Sequence, residues 1–92
     1  MDNGFGKFVW GIDRELANIA KHGIDFTTAA RAFLDIKRKI IVDSKHSFAE
    51  KRYFCMGRVD DKILTVRFTY RKRQIRIFGA GYWRKGKMYY EE

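Results

Sequence analysis

The chain has 92 residues, with 20 Lys and Arg, 11 Asp and Glu, no proline and one cysteine. This length suits one domain, and a hydrophobic fraction of 46% is enough for a core, so general disorder is excluded. A lone cysteine cannot form an internal disulfide, the N-terminus does not resemble a signal peptide, and the apolar runs are far shorter than the ~20 residues that cross a bilayer. We therefore expect a single domain over residues 1–92 in the reducing cytoplasm, and no membrane span.

The net charge of +9 is concentrated in the C-terminal third of the chain. Residues 1–61 carry 11 basic and 9 acidic side chains, whereas residues 62–90 carry basic side chains only. These are Lys62, Arg67, Arg71, Lys72, Arg73, Arg76, Arg84, Lys85 and Lys87. Such a field attracts polyanions and favours nucleic acid or an acidic partner, although a basic surface kept for solubility is the alternative.

The N-terminal half of the sequence predicts two short helices. We expect residues 1–7 to be partly disordered and residues 8–10 to form a short strand. The first helix is predicted to follow Asp13 and to end at Gly23, a residue suited to the left-handed C-cap position. Asp25 is predicted to cap the second helix. The apolar residues at helical spacing are Leu16, Ile19 and Ala20 in the first helix, and Phe26, Ala29, Ala30 and Phe33 in the second.

The pattern then changes to strands and turns. Strands are predicted over residues 39–42, 52–56, 62–70 and 75–80, with Gly57 at the end of the second. Residues 59–62 and 71–74 are predicted hairpin turns. In the second hairpin, pairing Tyr70 with Ile75 places Phe68 opposite Ile77 and Thr69 opposite Arg76.

These elements predict an α+β fold, in which two N-terminal helices pack on a four-stranded antiparallel sheet and a short C-terminal helix follows. The helices would cover the apolar face of the sheet. The opposite face would present Thr65, Arg67, Thr69, Arg76 and Phe78 to solvent or to a ligand. Arginines on a rigid sheet can be aimed at a phosphate in advance.

The C-terminal segment interleaves aromatic and basic residues, a pattern that suits nucleic acid because bases stack on rings while phosphates meet cations. Trp83 and Tyr89 could instead simply pack the last helix on the sheet. His46, Glu50 and Arg52 could form an acid/base cluster. Two isolated histidines and one cysteine form no metal-ligand pattern, so we expect no metal, and Cys55 is predicted to be a buried small residue.

An ordered set of residues runs along almost the whole chain from Phe8 onward. It comprises Trp10, Arg14, Asn18, Lys21-His22-Gly23, Phe26, Ala30, Phe33, Asp35, Asp43, His46-Ser47, Glu50, Arg52, Gly57, Arg67-Phe68-Thr69-Tyr70 and Ile75-Arg76-Ile77. This set resembles the BrnT family of toxins. Two segments differ from that family: Phe78-Gly79-Ala80-Gly81 stands where it has I-S-A-R, and Arg84-Lys85-Gly86-Lys87 replaces a Glu-Arg pair.

The resemblance implies a RelE-like fold and a toxin of a type II toxin–antitoxin pair that cleaves RNA without a metal or other cofactor and so inhibits translation. The implied partner is a BrnA-like antitoxin with a ribbon-helix-helix end, and operator DNA would be contacted only through that antitoxin. In RelE-like enzymes, basic residues on the concave face of the sheet hold the scissile phosphate. The RNA 2′-hydroxyl attacks in line and leaves a 2′,3′-cyclic phosphate.

We therefore predict an endoribonuclease in which Arg67 and Arg76 hold the phosphate, Arg52 strengthens the positive field, and His46 with Glu50 transfers protons. The predicted RNA-binding residues are Arg71, Arg73, Trp83, Arg84, Lys85 and Tyr89. Two alternatives use the same surface: a non-catalytic nucleic-acid-binding module, and an interaction protein whose basic face captures an acidic partner.

Overall fold

A computed structural model describes residues 7–92, which build one mixed β-sheet with helices on both faces. In chain order the elements are β1 (Phe8–Val9), α1 (Ile12–His22), α2 (Phe26–Ala30), β2 (Lys39–Val42), β3 (Tyr53–Val59), β4 (Lys62–Arg71), β5 (Gln74–Gly81) and α3 (Arg84–Glu91). Short 3-10 turns occupy Arg31–Leu34 and Ser44–His46. The prediction that residues 1–7 are partly disordered concerns residues outside the described range, apart from Lys7.

The sheet has five strands in the order β1-β5-β4-β3-β2, so the prediction of a four-stranded antiparallel sheet is wrong in one respect. The predicted strand at Phe8–Val9 joins the sheet and runs parallel to β5, with Phe8 opposite Ile75. The Ile75 amide also donates to the Lys7 carbonyl at 2.8 Å. A two-residue strand is too short for an alternation pattern, and its partner lies far along the chain. The sequence pattern therefore could not assign it to an edge.

Both hairpins form as predicted, and the predicted register of β4 against β5 is confirmed at Phe68–Ile77, Thr69–Arg76 and Tyr70–Ile75. Each connection is a two-residue turn in which both central residues have positive φ. The angles are 51° and 66° at Lys72 and Arg73, and 49° and 69° at Asp60 and Asp61. Turns of this handedness match the right-handed twist of the strands that they join.

The helix boundaries differ slightly from the prediction. α1 begins at Ile12 after Gly11, before the predicted start, and it ends at Gly23 with φ of 71°, as predicted. Asp25 caps α2 by accepting a hydrogen bond from the Thr28 amide, also as predicted. The α-helical part of that segment stops at Ala30, and a 3-10 turn carries Phe33 onto the core instead.

The core lies between the sheet and the N-terminal helical segments. Its largest fully buried side chains include Phe26, Leu64, Phe68 and Ile77. Cys55 is fully buried there, as predicted, and burial raises the pKa of its thiol to about 12. A thiol in this state is unreactive, which confirms a packing role.

β3 does not end at Gly57 as predicted but continues to Val59. A Cβ atom at Gly57 would collide with the backbone of Ala32 in the 3-10 turn. The glycine therefore permits close packing of that turn on the sheet, and it does not break the strand.

The second face of the sheet is also covered, which corrects the expectation that Thr65, Thr69 and Phe78 meet solvent. All three are buried. α3 packs against β3 and β4 on this face. Its last turn is held by Asp35, which accepts hydrogen bonds from the Tyr90 hydroxyl and from the Arg58 amide.

Candidate active site

α3 covers only part of the second sheet face and leaves a groove of about 700 Å³ beside it. The floor of the groove is formed by β2, β3 and β4, and its walls by α3, by the last turn of α1 and by the segment between β2 and β3. The floor residues are Ile41, Phe54, Met56, Thr65 and Arg67. The other lining residues include Val42 at the end of β2 and Trp83 just before α3. The wall residues are Lys21, His22, Asp43, Ser44, Lys45, His46, Lys85, Gly86 and Tyr89.

Three glycines in or beside this groove allow neighbouring groups to approach the backbone closely. A Cβ atom at Gly79 would lie 2.5 Å from Arg67 Nη2, and one at Gly81 would lie 2.6 Å from the Trp83 ring. A Cβ atom at Gly86 would collide with the Thr65 hydroxyl. The Arg67 guanidinium and the Trp83 ring therefore lie directly against the backbone of β5, and α3 approaches β4 closely.

Arg67 is the central charged residue of the floor. It stands on β4 between Phe54 of β3 and Gly79 of β5. Its Nε is buried and has no hydrogen-bond partner within residues 7–92. The pKa of Arg67 is lowered first by burial and then by the positive charges of Arg14 and Arg52.

Arg14 and Arg52 both lie over the ring of Phe78, which is next to Gly79. Their guanidinium carbons are 5.0 and 4.3 Å from the ring centroid. Across the described part of the chain, no carboxylate forms a salt bridge with either arginine or with Arg67. Cation–π contacts stabilise the two outer guanidinium groups only partly. The cluster of Arg14, Arg52 and Arg67 is therefore a positively charged site suited to an anion.

A histidine and a carboxylate stand at the rim of the same groove. His46 Nδ1 lies 2.8 Å from Asp43 Oδ2, and the Asp43 side chain is only 7% exposed whereas that of His46 is 56% exposed. The local backbone is fixed by Ser47, whose hydroxyl donates to the Asp43 carbonyl and accepts from the Arg52 amide. Asp43 thus orients the ring and leaves Nε2 of His46 available to a ligand.

Aromatic rings and lysines border the remaining sides. Trp83 meets the His22 ring edge to face, with centroids 5.4 Å apart, and Tyr89 lies further along α3. Lys45, from the segment between β2 and β3, and Lys85, from α3, add positive charge. This combination is suited to stacking bases and binding phosphates.

The structure brings six of the predicted site residues to this groove or beside it. These are Arg52, Arg67 and His46 among the predicted catalytic residues, and Trp83, Lys85 and Tyr89 among the predicted RNA-binding residues. It adds Arg14 and Asp43, which the sequence does not assign to the site, and it places Phe78, expected on this face, beneath two of the arginines. The sequence pattern predicts Asp43 only as a turn residue, and the orientation of Arg14 toward β5 depends on how α1 packs.

The other predicted residues lie elsewhere. Glu50 does not pair with His46 but accepts two hydrogen bonds from Arg71, at 2.9 and 3.1 Å. Arg73 occupies the tip of the β4–β5 hairpin. Arg76 is half-buried on β5 between Thr69 and Val9, and neither Arg76 nor Arg84 lines the groove.

The sequence model for the ribonuclease toxin BrnT of type II toxin–antitoxin systems matches residues 10–86. The chain belongs to the BrnT family. It is therefore a ribonuclease toxin of a type II system, with an antitoxin as partner and RNA as target. No curated protein matches the chain.

The family match spans all the groove residues of β2, β3 and β4 and of the last turn of α1. Within residues 7–92, no group of three or more His, Cys, Asp or Glu side chains is placed to hold a metal ion. None of the helices described over this range is long and apolar enough to cross a bilayer.

Proposed function

We propose that this groove is the active site of a metal-independent endoribonuclease, and that the cluster of Arg14, Arg52 and Arg67 binds the scissile phosphate. The observation that carries the proposal is the set of three guanidinium groups gathered around Phe78 and Gly79, none of which forms a salt bridge among the described residues. Asp43 is the one carboxylate whose charge acts on Arg67 from nearby within these residues, and it opposes two arginines. Gathering like charges beside the half-buried guanidinium of Arg67 costs free energy, and a bound phosphate would recover that cost.

The proposed reaction is attack by the 2′-hydroxyl on the adjacent phosphorus. The 2′-oxygen forms a bond to phosphorus as its proton leaves, and the bond from phosphorus to the 5′-oxygen breaks as that oxygen takes up a proton. The products are a 2′,3′-cyclic phosphate and a free 5′-hydroxyl. Negative charge grows on the phosphate oxygens during this step, and fixed guanidinium groups stabilise it.

His46 is the proposed proton-transfer group. With Nδ1 hydrogen-bonded to Asp43, its Nε2 can accept a proton from the 2′-hydroxyl or deliver one to the 5′-oxygen. Glu50, the partner predicted from the sequence, is already engaged by Arg71. Asp43 therefore replaces Glu50 in the proposed acid/base pair.

The remaining groove residues are proposed to bind the nucleotides that flank the scissile phosphate. Trp83 and Tyr89 offer ring faces to unpaired bases, and Lys45 and Lys85 meet the neighbouring phosphates. Because stacking requires bases that are free of a duplex, the proposed substrate is single-stranded RNA.

Cleavage of RNA in the cytoplasm would inhibit translation, which is the proposed toxic effect. We further propose that the antitoxin is BrnA-like, with a ribbon-helix-helix end that carries the pair to its operator. Both the toxic effect and the BrnA-like antitoxin are proposed from membership of the family.

The test is incubation of the purified, antitoxin-free protein with end-labelled RNA in EDTA, followed by analysis of fragment ends. We expect fragments that end in a 2′,3′-cyclic phosphate, and none with Arg67→Met. Intact RNA, both alone and with added ribosomes, would contradict catalysis and leave a binding role. Cleavage that requires Mg²⁺ would contradict the metal-independent step.

A further inference from the structure

The first helix presents its apolar side to solvent. Ile12, Leu16 and Ile19 lie at i, i+4 and i+7 along α1, and these residues are 48%, 57% and 41% exposed. Asn18 is the only buried residue of this helix. An amphipathic helix in a small domain ordinarily turns its apolar stripe to the core. α1 does the opposite, against the expectation that both N-terminal helices cover the apolar face of the sheet with such residues.

Polar side chains hold α1 in place instead. The Asn18 amide donates to the carbonyls of Ile24 and Ala80, and its oxygen accepts from the Ala80 amide. Glu15 accepts hydrogen bonds from the Trp10 indole and from the Phe26 amide. These bonds fix the helix through its polar side, whereas Ile12, Leu16 and Ile19 leave about half of their surface outside the core.

We propose that this stripe is the docking face for the antitoxin, and that it receives an amphipathic helical segment bearing acidic residues. Three large apolar side chains over two helical turns, about 10 Å long, form a seam of the kind that a partner helix fills. The partner is an antitoxin because the chain belongs to a toxin family of type II systems.

The electrostatics favour an acidic partner over a second copy of the toxin. The chain carries a net charge of +9, so two copies repel one another, whereas an acidic segment is attracted. Along α1 the acidic residues Asp13 and Glu15 lie in the first turn, and exposed Lys21 stands in the last turn, close after Ile19. Acidic residues of the partner segment would meet it there.

The position of the stripe also explains how docking could block cleavage. The last turn of α1 lies at the wall of the groove, where it contributes Lys21 and His22. A segment that follows the stripe from Ile12 to Ile19 and continues in the same direction arrives at the groove beside the arginine cluster. This consequence rests on the proposed function, since it takes the groove to be the active site.

The test compares Leu16→Glu with a matched variant, Phe48→Glu, which places the same charge on a residue 89% exposed elsewhere. Binding of the antitoxin that is encoded with this toxin is measured by calorimetry, and RNA cleavage is measured without antitoxin. We expect Leu16→Glu to weaken binding about 30-fold or more, as for an apolar anchor of an interface, and Phe48→Glu to leave it unchanged. Both variants should cleave RNA like the wild type.

Wild-type affinity of a folded Leu16→Glu variant would overturn the proposal. So would a wild-type toxin that is dimeric by ultracentrifugation while Leu16→Glu is monomeric, because the stripe would then be a contact between copies. Thermal melting controls for folding, and Ile12→Ser provides a milder second variant. Because binding is read separately from cleavage, a wild-type protein that fails to cleave RNA would contradict the proposed function without deciding the docking face.

Discussion

The two faces of the sheet use alternate residues of the same strands for different purposes. On β4, Leu64, Val66 and Phe68 point into the core and are fully buried among apolar side chains. The residues between them include Thr65 and Arg67, which carry buried polar atoms without partners among the described residues. The first face follows the rules of stable packing, and the second departs from them at the groove.

This difference separates stability from activity along a single strand. A half-buried guanidinium beside two other arginines costs folding free energy, and we propose that binding of a phosphate recovers this cost. The core face, by contrast, contributes apolar burial and no chemistry. Substitutions on the two faces should therefore affect different measurements.

The largest effect on stability is expected from Phe68→Ala. This ring is fully buried and contacts Phe33, Tyr53 and Tyr70. Its removal should lower the free energy of unfolding by about 3–5 kcal/mol in urea titrations, with little change in RNA cleavage per folded molecule. Phe68→Leu, which retains much of the volume, should cost less. A loss below about 1 kcal/mol for Phe68→Ala would show that the core lies elsewhere.

On the groove side, His46→Ala should reduce the rate of RNA cleavage about 100-fold or more, since it removes the proposed proton-transfer group. Its side chain is more than half exposed, so the thermal midpoint should hardly move. Lys45→Ala is the matched control. It removes a charge proposed to meet a neighbouring phosphate but no proton-transfer group, so it should reduce cleavage less than His46→Ala does. Unchanged cleavage by His46→Ala would remove this residue from the site.

A smaller effect on cleavage is expected from a substitution at Gly79, because this glycine leaves room for the Arg67 guanidinium. In Gly79→Ala, the new methyl group would press on the Arg67 guanidinium, whose Nη2 and Nε lie 2.5 and 3.0 Å from the Cβ position. Displacing a phosphate-binding group by about 1 Å should slow cleavage about 10- to 100-fold. Stability should change little, because the guanidinium can move. Wild-type cleavage by Gly79→Ala would mean that the position of Arg67 is not critical.

The smallest expected effect is on stability, and it concerns the hydrogen bond from the Tyr90 hydroxyl to Asp35 that attaches α3. The Tyr90 hydroxyl and the backbone amides of Arg58 and Lys37 lower the pKa of Asp35. A carboxylate with a depressed pKa in the folded state stabilises the protein above its unfolded value of about 3.9, and this contribution is lost as the pH falls through the folded value.

Tyr90→Phe should therefore be less stable than the wild type at pH 7, and the difference should shrink as the pH falls from the unfolded-state value of about 3.9 through the lower folded-state pKa of Asp35. Urea unfolding at pH 7 and at a series of acidic pH values measures it. A difference that persists unchanged in acid would show that the hydroxyl acts through packing alone.

Local patterns predicted those parts of the fold in which neighbouring residues decide the structure. The alternation from Leu64 to Tyr70 and the turn at Lys72 and Arg73 were sufficient to give the β4–β5 register. The helix caps at Gly23 and Asp25 were also predicted correctly, because neighbouring residues decide a cap. Each depends on interactions within a few residues of sequence.

The groove could be predicted only in part because it depends on packing between distant elements. Arg67 was predicted as a site residue from its place on the polar face of β4, and the family resemblance included Arg52 and His46. Pairing of His46 with Asp43 depends on a 3-10 turn that has no distinct pattern. The place of Arg14 beside Phe78 depends on α1 turning its apolar stripe outward, which contradicts the usual rule.

The most direct test of the arginine cluster compares Arg67→Met with Arg76→Met in one cleavage assay, with each rate normalised to the folded fraction. Both residues lie on the second face of the sheet, but only Arg67 lines the groove. We expect Arg67→Met to reduce cleavage by at least about 100-fold without loss of stability, and Arg76→Met to retain most of the activity. Near-normal cleavage by Arg67→Met, or a larger loss in Arg76→Met, would contradict the placement of the phosphate at the cluster of Arg14, Arg52 and Arg67.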